Sequence, residues 1–417
     1  MPQIPKVVLG HIPGIGWRER KISFLETRTN QLDAARGSLV AKLQNLKTAL
    51  DQEQTTRAAA SAAHVVETDT LRSEIEILRL KYEDAVAEHE RFTRPSFTAK
   101  LANYREIFDI TRSNNWRAWG PIAQATFKLR SYSLADSLGI STPEIYRVWN
   151  SLEDIEFNDI GVDRFVLKAD GGHSGVAVMP LIRTTTGWRT LAGKEAAPGG
   201  RPSAQMLSRL EKGRGPYFAE EFLESSSDAT IPEDIKVYTA YGQVLQVLVM
   251  STAGLQVMNR KTFTRKYFGP DGNDLGPILP GANYGPDIPL PEGWNELLAA
   301  AEKISIASGI PFVRVDLYAT SRGPVLGELS PGPGGKQMYT LEHDAVLGET
   351  WNQAEVRLHR DLARGRPPGT LFGKEPFTWR YPDSDQASHP SAWPRTVADA
   401  QQWFTPVSAG REAPKDA

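Results

Sequence analysis

The sequence predicts an α+β protein with mostly antiparallel sheet, preceded by an N-terminal α-helical coiled coil. Between Pro13 and Pro95 the chain contains no proline, which favours a long helical region. Beyond Pro95, short runs rich in β-branched and aromatic residues are separated by Gly and Pro turns, which indicates hairpins. These runs do not alternate regularly with helical segments, so the pattern excludes a doubly wound parallel sheet.

Two apolar seams carry the coiled-coil prediction. Leucines recur every seven residues in the first seam, and spacings of four and three alternate in the second. The first seam consists of Leu25, Leu32, Leu39, Leu43, Leu46 and Leu50, and the second of Leu71, Ile75, Leu78, Tyr82, Ala85 and His89. The seams differ in register, and the alanine-rich run 58–63 separates them, so one long helix and an αα-hairpin both fit. We expect the coiled coil to form a homo-oligomer.

Composition and charge exclude several classes of protein. The 417 residues include 48 Lys and Arg against 50 Asp and Glu, a net charge of −2 that argues against a nucleic-acid or membrane-surface partner. Cysteine is absent, which excludes disulfides, Cys-ligated metals and thiol catalysis. No run reaches the roughly 18 apolar residues that a membrane span needs. We therefore expect a cytoplasmic protein of two to three domains, at about 150 residues per domain.

The elements after Pro95 follow from residue patterning. The predicted strands are 165–168, 176–181, 217–223, 235–250, 312–320 and 325–329. The longest run contains a hairpin turn at Tyr241-Gly242, and a second hairpin turns at Ser321–Pro324. A helix is expected over 294–308. The tail after Arg364 is rich in Pro, Ser and Trp, which is typical of an irregular extension.

The second hairpin concentrates charge on one face of a strand. Arg314, Asp316 and Tyr318 share that face because strand side chains alternate, and the turn returns Glu328 beside Asp316. Two carboxylates on a sheet otherwise filled with Val and Leu are costly unless a cation joins them, and Mg²⁺ prefers such ligands together with phosphate oxygens. A solvated hairpin face with one salt bridge is the alternative. For a metal site, Asp316→Asn and Glu328→Gln are both expected to abolish activity with the fold intact.

A glycine-rich loop follows the strand that ends at Lys168. The loop Gly171–Gly175 lets backbone N–H groups approach a phosphate, Ser174 adds a donor, and Lys168 adds a point charge. The loop is neither a Walker loop nor a GxGxxG fingerprint, because no helix with GK[ST] follows. A plain glycine-rich hairpin turn is the alternative.

Two further segments complete the candidate site. The strand 217–224 runs into a loop whose backbone can pair with a base edge, and Asp234 and Lys236 can reach a ribose and a phosphate. A surface-charged edge strand is the alternative. The basic segment 259–266 is suited to attracting an anionic acceptor, although a solvated loop fits as well.

In this order the elements resemble the ATP-grasp superfamily. The runs DIKVYTAYG, RVDLY and GELSPGPGG are most similar to the TupA-like branch, whose ligases are linked to teichuronopeptide and capsular polysaccharide biosynthesis. The resemblance extends from Phe127 to Gly335 and implies the ATP-grasp fold, with two α+β subdomains around an ATP cleft. The implied domains are a coiled coil over 1–94, a connecting region over 95–160, the ATP-grasp domain over 161–365 and a Pro-rich C-terminal extension over 366–417.

The resemblance also implies a role for each candidate residue. The phosphates of ATP would be held by Lys128, Lys168, Gly171, Gly172, His173, Ser174 and Gly175. The adenine-binding hinge would consist of Glu220, Glu221, Phe222 and Leu223, with Asp234 near the ribose. Charge on the transferred phosphoryl group would be stabilised by the catalytic residues Lys236 and Arg314. Mg²⁺ would be bound by Asp316, Glu328 and Ser330, the last at a position that is Asn in many members of the superfamily.

The implied activity is an ATP- and Mg²⁺-dependent carboxylate–amine ligase that forms an amide through an acyl phosphate. Its expected partners are a carboxylate acceptor such as a uronic-acid glycan and an amine donor. A peptide ligase and a coiled-coil interaction protein with a vestigial nucleotide site are the alternatives. The seven histidines lack metal-ligand spacing and no Ser-His-Asp set occurs, so hydrolase and zinc classes are excluded.

Overall fold

The computed structural model describes most of the chain in two compact units. The described residues are 15–56, 63–114, 120–171, 175, 177–193, 195–224, 233–251, 264–334, 337–375 and 395–404. The units are Met1–Ser96 and Phe97–Ala417. None of the helices described is long and apolar enough to cross a membrane. The domain limits at 94, 160 and 365 stay predictions.

The N-terminal unit is an αα-hairpin. Helix α1 spans Ile15–Thr56, helix α2 spans Ala63–Thr93, and the two are in contact. Arg28, near the start of α1, forms an ion pair of 3.1 Å with Glu88, near the end of α2, so the helices are antiparallel. This arrangement selects the hairpin over one long helix. Leu32 and Leu78 of the seams are buried, whereas Leu25, Leu39 and Leu43 are only half-buried. A homo-oligomer stays a prediction.

The leucine seam predicts the stability of this hairpin. Leu32 is buried at 8% exposure, whereas Val40 on the same helix is 45% exposed. Leu32→Ala is expected to lower the stability of the hairpin by about 2 to 3 kcal/mol, because it removes buried methyl groups and leaves a void. Amide hydrogen exchange in α1 and α2 measures this loss. Val40→Ala is the control and is expected to leave exchange unchanged; equal effects of the two variants would contradict the seam.

The C-terminal unit contains six further α-helices and thirteen strands within its described residues. The helices are α3 (Phe97–Ser113), α4 (Pro121–Gln124), α5 (Lys128–Ser137), α6 (Ala204–Glu211), α7 (Trp294–Ser308) and α8 (Leu341–Ala363), followed by a 3₁₀ turn at Ala400–Trp403. The strands are β1 (Ile145–Trp149), β2 (Arg164–Ala169), β3 (Val178–Thr184), β4 (Gly187–Thr190), β5 (Ala196–Pro198), β6 (Tyr217–Glu221), β7 (Asp234–Ala240), β8 (Gln243–Ser251), β9 (Thr264–Phe268), β10 (Val313–Thr320), β11 (Gly323–Ser330), β12 (Leu371–Phe372) and β13 (Thr396–Val397).

The strands form two main sheets. The six-stranded sheet has the order β1-β6-β2-β3-β4-β5 and the five-stranded sheet the order β11-β10-β7-β8-β9. All neighbours within these sheets are antiparallel, whereas β12 and β13 form a small parallel pair. The predicted α+β class with mostly antiparallel sheet is therefore confirmed.

The five-stranded sheet has one apolar and one polar face. On β7 and β10 the side chains of Val237, Val315 and Leu317 are fully buried in the core that includes α7. Alternation places Lys236 and Asp316 on the opposite face, where the two residues are cross-strand partners. The sheet thus separates the apolar core from a row of charges.

Candidate functional site

Asp316 lies at the centre of the charged row. Its register partners are Glu328 on β11 and Lys236 on β7. The Arg314 guanidinium donates from Nε to Oδ1 of Asp316 and from Nη2 to Oδ2, each over 2.6 Å. The Nζ atom of Lys236 lies 2.7 Å from Oδ2 of Asp316 and 2.7 Å from Oδ1 of Asp234. The predicted pairing of Asp316 with Glu328 is confirmed, with two cations bound to Asp316.

Neighbouring charges determine the protonation states of Asp316 and Lys236. Burial alone would raise the pKa of Asp316, but Arg314 and Lys236 outweigh it and hold the pKa below its usual value. Burial alone would lower the pKa of Lys236, yet Asp316 and Asp234 raise it above its usual value. Asp316 is therefore a carboxylate and Lys236 an ammonium at neutral pH.

Glu328 is the more accessible carboxylate of the pair. Its side chain is 33% exposed, and its ion pairs are long, 3.6 Å to Arg314 and 3.9 Å to Lys128. A β-bulge at Gly327 precedes it, because Asp316 pairs with Glu328 while the next residue of β10 pairs with Leu326. A Cβ atom at position 327 would meet the Tyr318 ring at 2.7 Å, so glycine is required there. The bulge sets the position of Glu328.

A second buried cluster lies on the six-stranded sheet. The side chains of Lys168 on β2 and Glu220 on β6 form a buried ion pair. The fully buried Tyr132 hydroxyl lies 2.9 Å from Oε2 of Glu220 and 3.0 Å from the Gly327 carbonyl oxygen. Tyr132 of α5 thus connects Glu220 on one sheet with the bulge beside Glu328 on the other.

Lys128 is placed by a helix start. It is the first residue of α5, and the backbone N–H of Leu129 donates to Oδ1 of the buried Asp170 over 2.8 Å. This contact satisfies one of the free N–H groups at the helix start and fixes α5 against the end of β2. Burial lowers the pKa of Lys128, and Glu328 acts against that shift.

The predicted hinge is divided between strand and loop. Glu221 ends β6, forms an ion pair with Arg322 in the β10–β11 turn, and accepts from the backbone N–H of Glu144 over 3.1 Å. Phe222 lies under the Arg164 guanidinium at 5.3 Å, and Leu223 is buried. In this conformation the side chain of Glu221 binds a cation of the neighbouring hairpin, and Glu220 binds Lys168.

The glycine loop is described only at its ends. Gly171 donates its N–H to the Arg214 carbonyl oxygen over 2.8 Å, and Gly175 has a φ of +70°. Gly172, His173 and Ser174 lie outside the described residues, so the phosphate-loop assignment stays a prediction. Ser330 is the register partner of Arg314 and shares the face of Glu328.

Tyr132 yields a prediction of its own. Tyr132→Phe is expected to lower the free energy of unfolding by about 1 to 2 kcal/mol, because it removes the one buried hydroxyl donor that Glu220 and the Gly327 carbonyl share. Urea denaturation measures this. Tyr217→Phe is the control, since Tyr217 on β6 makes no side-chain hydrogen bond among the described residues and should change stability by less than about 0.5 kcal/mol. Equal stability of wild type and Tyr132→Phe would contradict the bridge.

The acidic pair fits a magnesium ion that arrives with phosphate. Mg²⁺ is commonly held by one or two carboxylates, with substrate phosphates and waters filling the remaining positions. Glu328 has lone pairs to spare, whereas Asp316 would share its oxygens with Arg314 and Lys236. In the part of the chain described, no group of three or more His, Asp or Glu side chains is positioned to hold a metal. The donor set fits a metal–nucleotide complex better than an all-protein cage.

Sequence comparison identifies the domain that carries this hairpin. The family model described as TupA-like ATPgrasp matches residues 217–352, which include β6, β7, β10 and β11. Residues 217–352 thus match the TupA-like ATP-grasp family. The resemblance stated from the sequence is confirmed, and so is the ATP-grasp fold. No curated protein matches the chain in sequence.

Solved ATP-grasp structures show distant similarity to the chain. D-alanine–D-alanine ligase from Bacillus anthracis, complexed with ATP, is 15% identical, covers 58% of this chain and 69% of its own, and has a TM-score of 0.36. The ATP-grasp ligase PsnB, complexed with a minimal precursor, is 14% identical over 56% of this chain and 62% of its own, with a TM-score of 0.33. A RimK domain ATP-grasp protein from Sphaerobacter thermophilus is 16% identical over 55% and 68%, with a TM-score of 0.32.

Several residues of the site were missed by the sequence reasoning. Tyr132 and Asp170 orient the predicted lysines and acids, yet neither was assigned a role, and the bulge at Gly327 was not predicted. Asp170 carried a local signal, since it directly precedes the glycine loop. Tyr132 lies 88 residues from Glu220 and 195 from Gly327, and no local pattern announces such contacts.

Proposed function

We propose that the protein is an ATP-dependent carboxylate–amine ligase that forms an amide through an acyl phosphate. The observation that carries this proposal is the facing pair Asp316 and Glu328, surrounded by Arg314, Lys236 and Lys128. Phosphoryl transfer depends mainly on positioning and charge neutralisation, and this cluster offers both within an ATP-grasp domain.

In the first half-reaction a substrate carboxylate oxygen attacks the γ-phosphorus of ATP, and the bond to ADP breaks. Arg314 and Lys236, fixed by Asp316, would stabilise charge on the transferred phosphoryl group. Lys128 and Lys168 would bind the phosphates of ATP. When bound, Mg²⁺ would be held by Asp316 and Glu328 and would neutralise phosphate charge.

In the second half-reaction an amine nitrogen attacks the acyl carbon. Inorganic phosphate leaves, the nitrogen loses a proton, and an amide remains. The protein would position the two reactants in line and hold the cationic side chains in place before the reaction. A preorganised charge needs no rearrangement in the transition state.

For the substrate we propose a uronic-acid-containing polysaccharide, or its precursor, as the carboxylate acceptor, with an amino acid or amine as donor. The TupA-like character of residues 217–352 supports this choice. A peptide ligase, the alternative that the sequence resemblance leaves open, is the second candidate. Cytoplasmic localisation and assembly through the hairpin α1–α2 remain parts of the proposal.

Trapping of the acyl phosphate tests the reaction class. Hydroxylamine converts an acyl phosphate into a hydroxamate, so the protein with ATP, Mg²⁺ and glucuronate oligomers should produce hydroxamate together with ADP. Free amino acids as carboxylate substrates form the second arm and would indicate the peptide ligase. Calorimetry with ATP and Mg²⁺ is the control for nucleotide binding. A protein that takes up no ATP in the presence of Mg²⁺ would overturn the proposal.

A further inference from the structure

The face of the five-stranded sheet that carries the acidic pair continues to the edge strand β9. The register Asp234–Met250–Arg265 runs across β7, β8 and β9, and the neighbouring row joins Asp316 to Tyr267 through Lys236 and Leu248. Residues directly opposite one another in an antiparallel sheet share a face. Arg265 and Tyr267 therefore lie on the same face as Asp316.

The backbone of Arg265 is held from both sides. Its strand pairs with β8 on one side, and on the other its N–H donates to the Asn283 carbonyl over 2.9 Å. Its own carbonyl accepts from the N–H of Gly285, also over 2.9 Å. The backbone of Arg265 is thus fixed before any ligand binds, so binding costs no ordering of this part of the main chain.

The guanidinium of Arg265 has no carboxylate partner among the residues that the structure describes. Its Nε atom is buried and has no hydrogen-bond partner there. In the sequence, the segment 252–263 before β9 contains no Asp or Glu. Burial raises the pKa of Tyr267, while the charges of Arg265 and Arg314 both act to lower it, so Tyr267 lies within electrostatic reach of both cations.

Lys266, the next residue, differs from Arg265 in having charged and polar partners. It belongs to the opposite face of β9, where its Nζ lies 3.4 Å from Oδ2 of Asp274 and donates to the Pro286 carbonyl over 2.7 Å. Its ammonium also lies 5.1 Å from the Phe268 ring. Lys266 therefore has partners within its own loop, whereas the adjacent Arg265 has no carboxylate partner among the described residues.

We propose that Arg265 binds a substrate carboxylate other than the one that is phosphorylated. This inference rests on the proposed ligase function and defines its substrate class. Strand β9 is separated from β10 by β7 and β8, which places Arg265 about 14 Å from the Asp316 strand at about 4.8 Å per step. The cations assigned to the phosphates lie on other elements, and the fork of a guanidinium matches a carboxylate in two parallel hydrogen bonds.

Matched substrate pairs test the proposal and locate the carboxylate. In the acid arm, ADP release is compared for glutarate and its monoamide, which keep one reactive carboxylate and differ in the second. In the amine arm, L-alanine is compared with L-alaninamide. In one arm, wild type is expected to favour the compound with the extra carboxylate by about 10- to 100-fold in kcat/KM. That arm identifies whether the acid or the amine substrate carries the carboxylate bound by Arg265. Arg265→Gln should reduce that preference to near unity, while Lys266→Gln retains it.

Calorimetry with the same four compounds provides a readout without turnover. The protein is loaded with a non-hydrolysable ATP analogue, and the preferred carboxylate should bind wild type at least tenfold more tightly than Arg265→Gln. A wild type with no preference in either arm, or a preference kept by Arg265→Gln, would overturn the inference. So would a rise in the KM for ATP as the main effect of Arg265→Gln, which would assign Arg265 to phosphate. Each of these results leaves nucleotide binding and the ligase proposal standing, whereas loss of ATP uptake in wild type removes both.

Discussion

Glu328→Gln is expected to lower ATP-dependent turnover by about 100-fold or more while leaving the fold unchanged. The substitution removes a negative charge opposite Asp316, where the proposed metal–nucleotide complex would bind, and groups that stabilise developing charge contribute on this scale. The stability should be maintained because the Glu328 side chain is 33% exposed and its ion pairs are 3.6 Å and 3.9 Å long. Hydroxamate formation measures turnover, and urea denaturation measures stability.

A matched acid elsewhere makes the Glu328 result specific. Glu292 is exposed before α7 and has no ion pair among the described residues, so Glu292→Gln should keep wild-type turnover. Magnesium titration adds a second readout, because Glu328→Gln is expected to need a higher Mg²⁺ concentration for half-maximal activity. Wild-type turnover at the wild-type Mg²⁺ requirement in Glu328→Gln would remove Glu328 from the site.

The sequence predicted the site best where local pattern determines geometry. Alternation along β10 and one tight turn bring Glu328 beside Asp316, as predicted, whereas their direct pairing depends on the bulge at Gly327, which was not predicted. The helix over 294–308 was likewise predicted with the observed bounds. Helix α8 was not predicted, although its Trp351 stacks on Phe312 at a ring distance of 4.5 Å. The packing of α8 is a tertiary contact, which residue periodicity alone does not predict.

Contacts that depend on the order of strands in a sheet could not be predicted from the sequence. Strand β6 inserts between β1 and β2, so Glu220 becomes the neighbour of Lys168 only through a connection of about fifty residues. The resemblance implied that Glu220 belongs to an adenine hinge, and the structure adds its ion pair with Lys168. The two leucine seams also left hairpin and long helix open, because both bury the same residues, and the ion pair of Arg28 with Glu88 distinguishes them.

Asp316→Asn is expected to abolish turnover and also to destabilise the domain by about 3 kcal/mol or more. The sequence alone predicted an intact fold for this variant, but Asp316 is only 4% exposed and binds both Arg314 and Lys236. Removing one partner of a buried ion pair leaves the other charges uncompensated, and this costs about 3 to 5 kcal/mol. Both variants should lose activity, but only Asp316→Asn should lose stability. Comparing the free energies of unfolding of the two variants by urea denaturation therefore distinguishes the roles of the two acids.

The direction of the pKa shift of Asp316 determines how the stability difference between wild type and Asp316→Asn depends on pH. Because the folded-state pKa is lowered from 3.8, the carboxylate's stabilisation is fully present above that value and is lost as the pH falls through the folded-state pKa. The stability gap between wild type and Asp316→Asn should stay constant above about pH 4 and shrink below it. Asp234→Asn is the control, since Asp234 is 39% exposed and its one ion pair among the described residues is with Lys236; its gap should stay below about 1 kcal/mol. A gap that widens on acidification would show that Asp316 is not held as a carboxylate by its two cations.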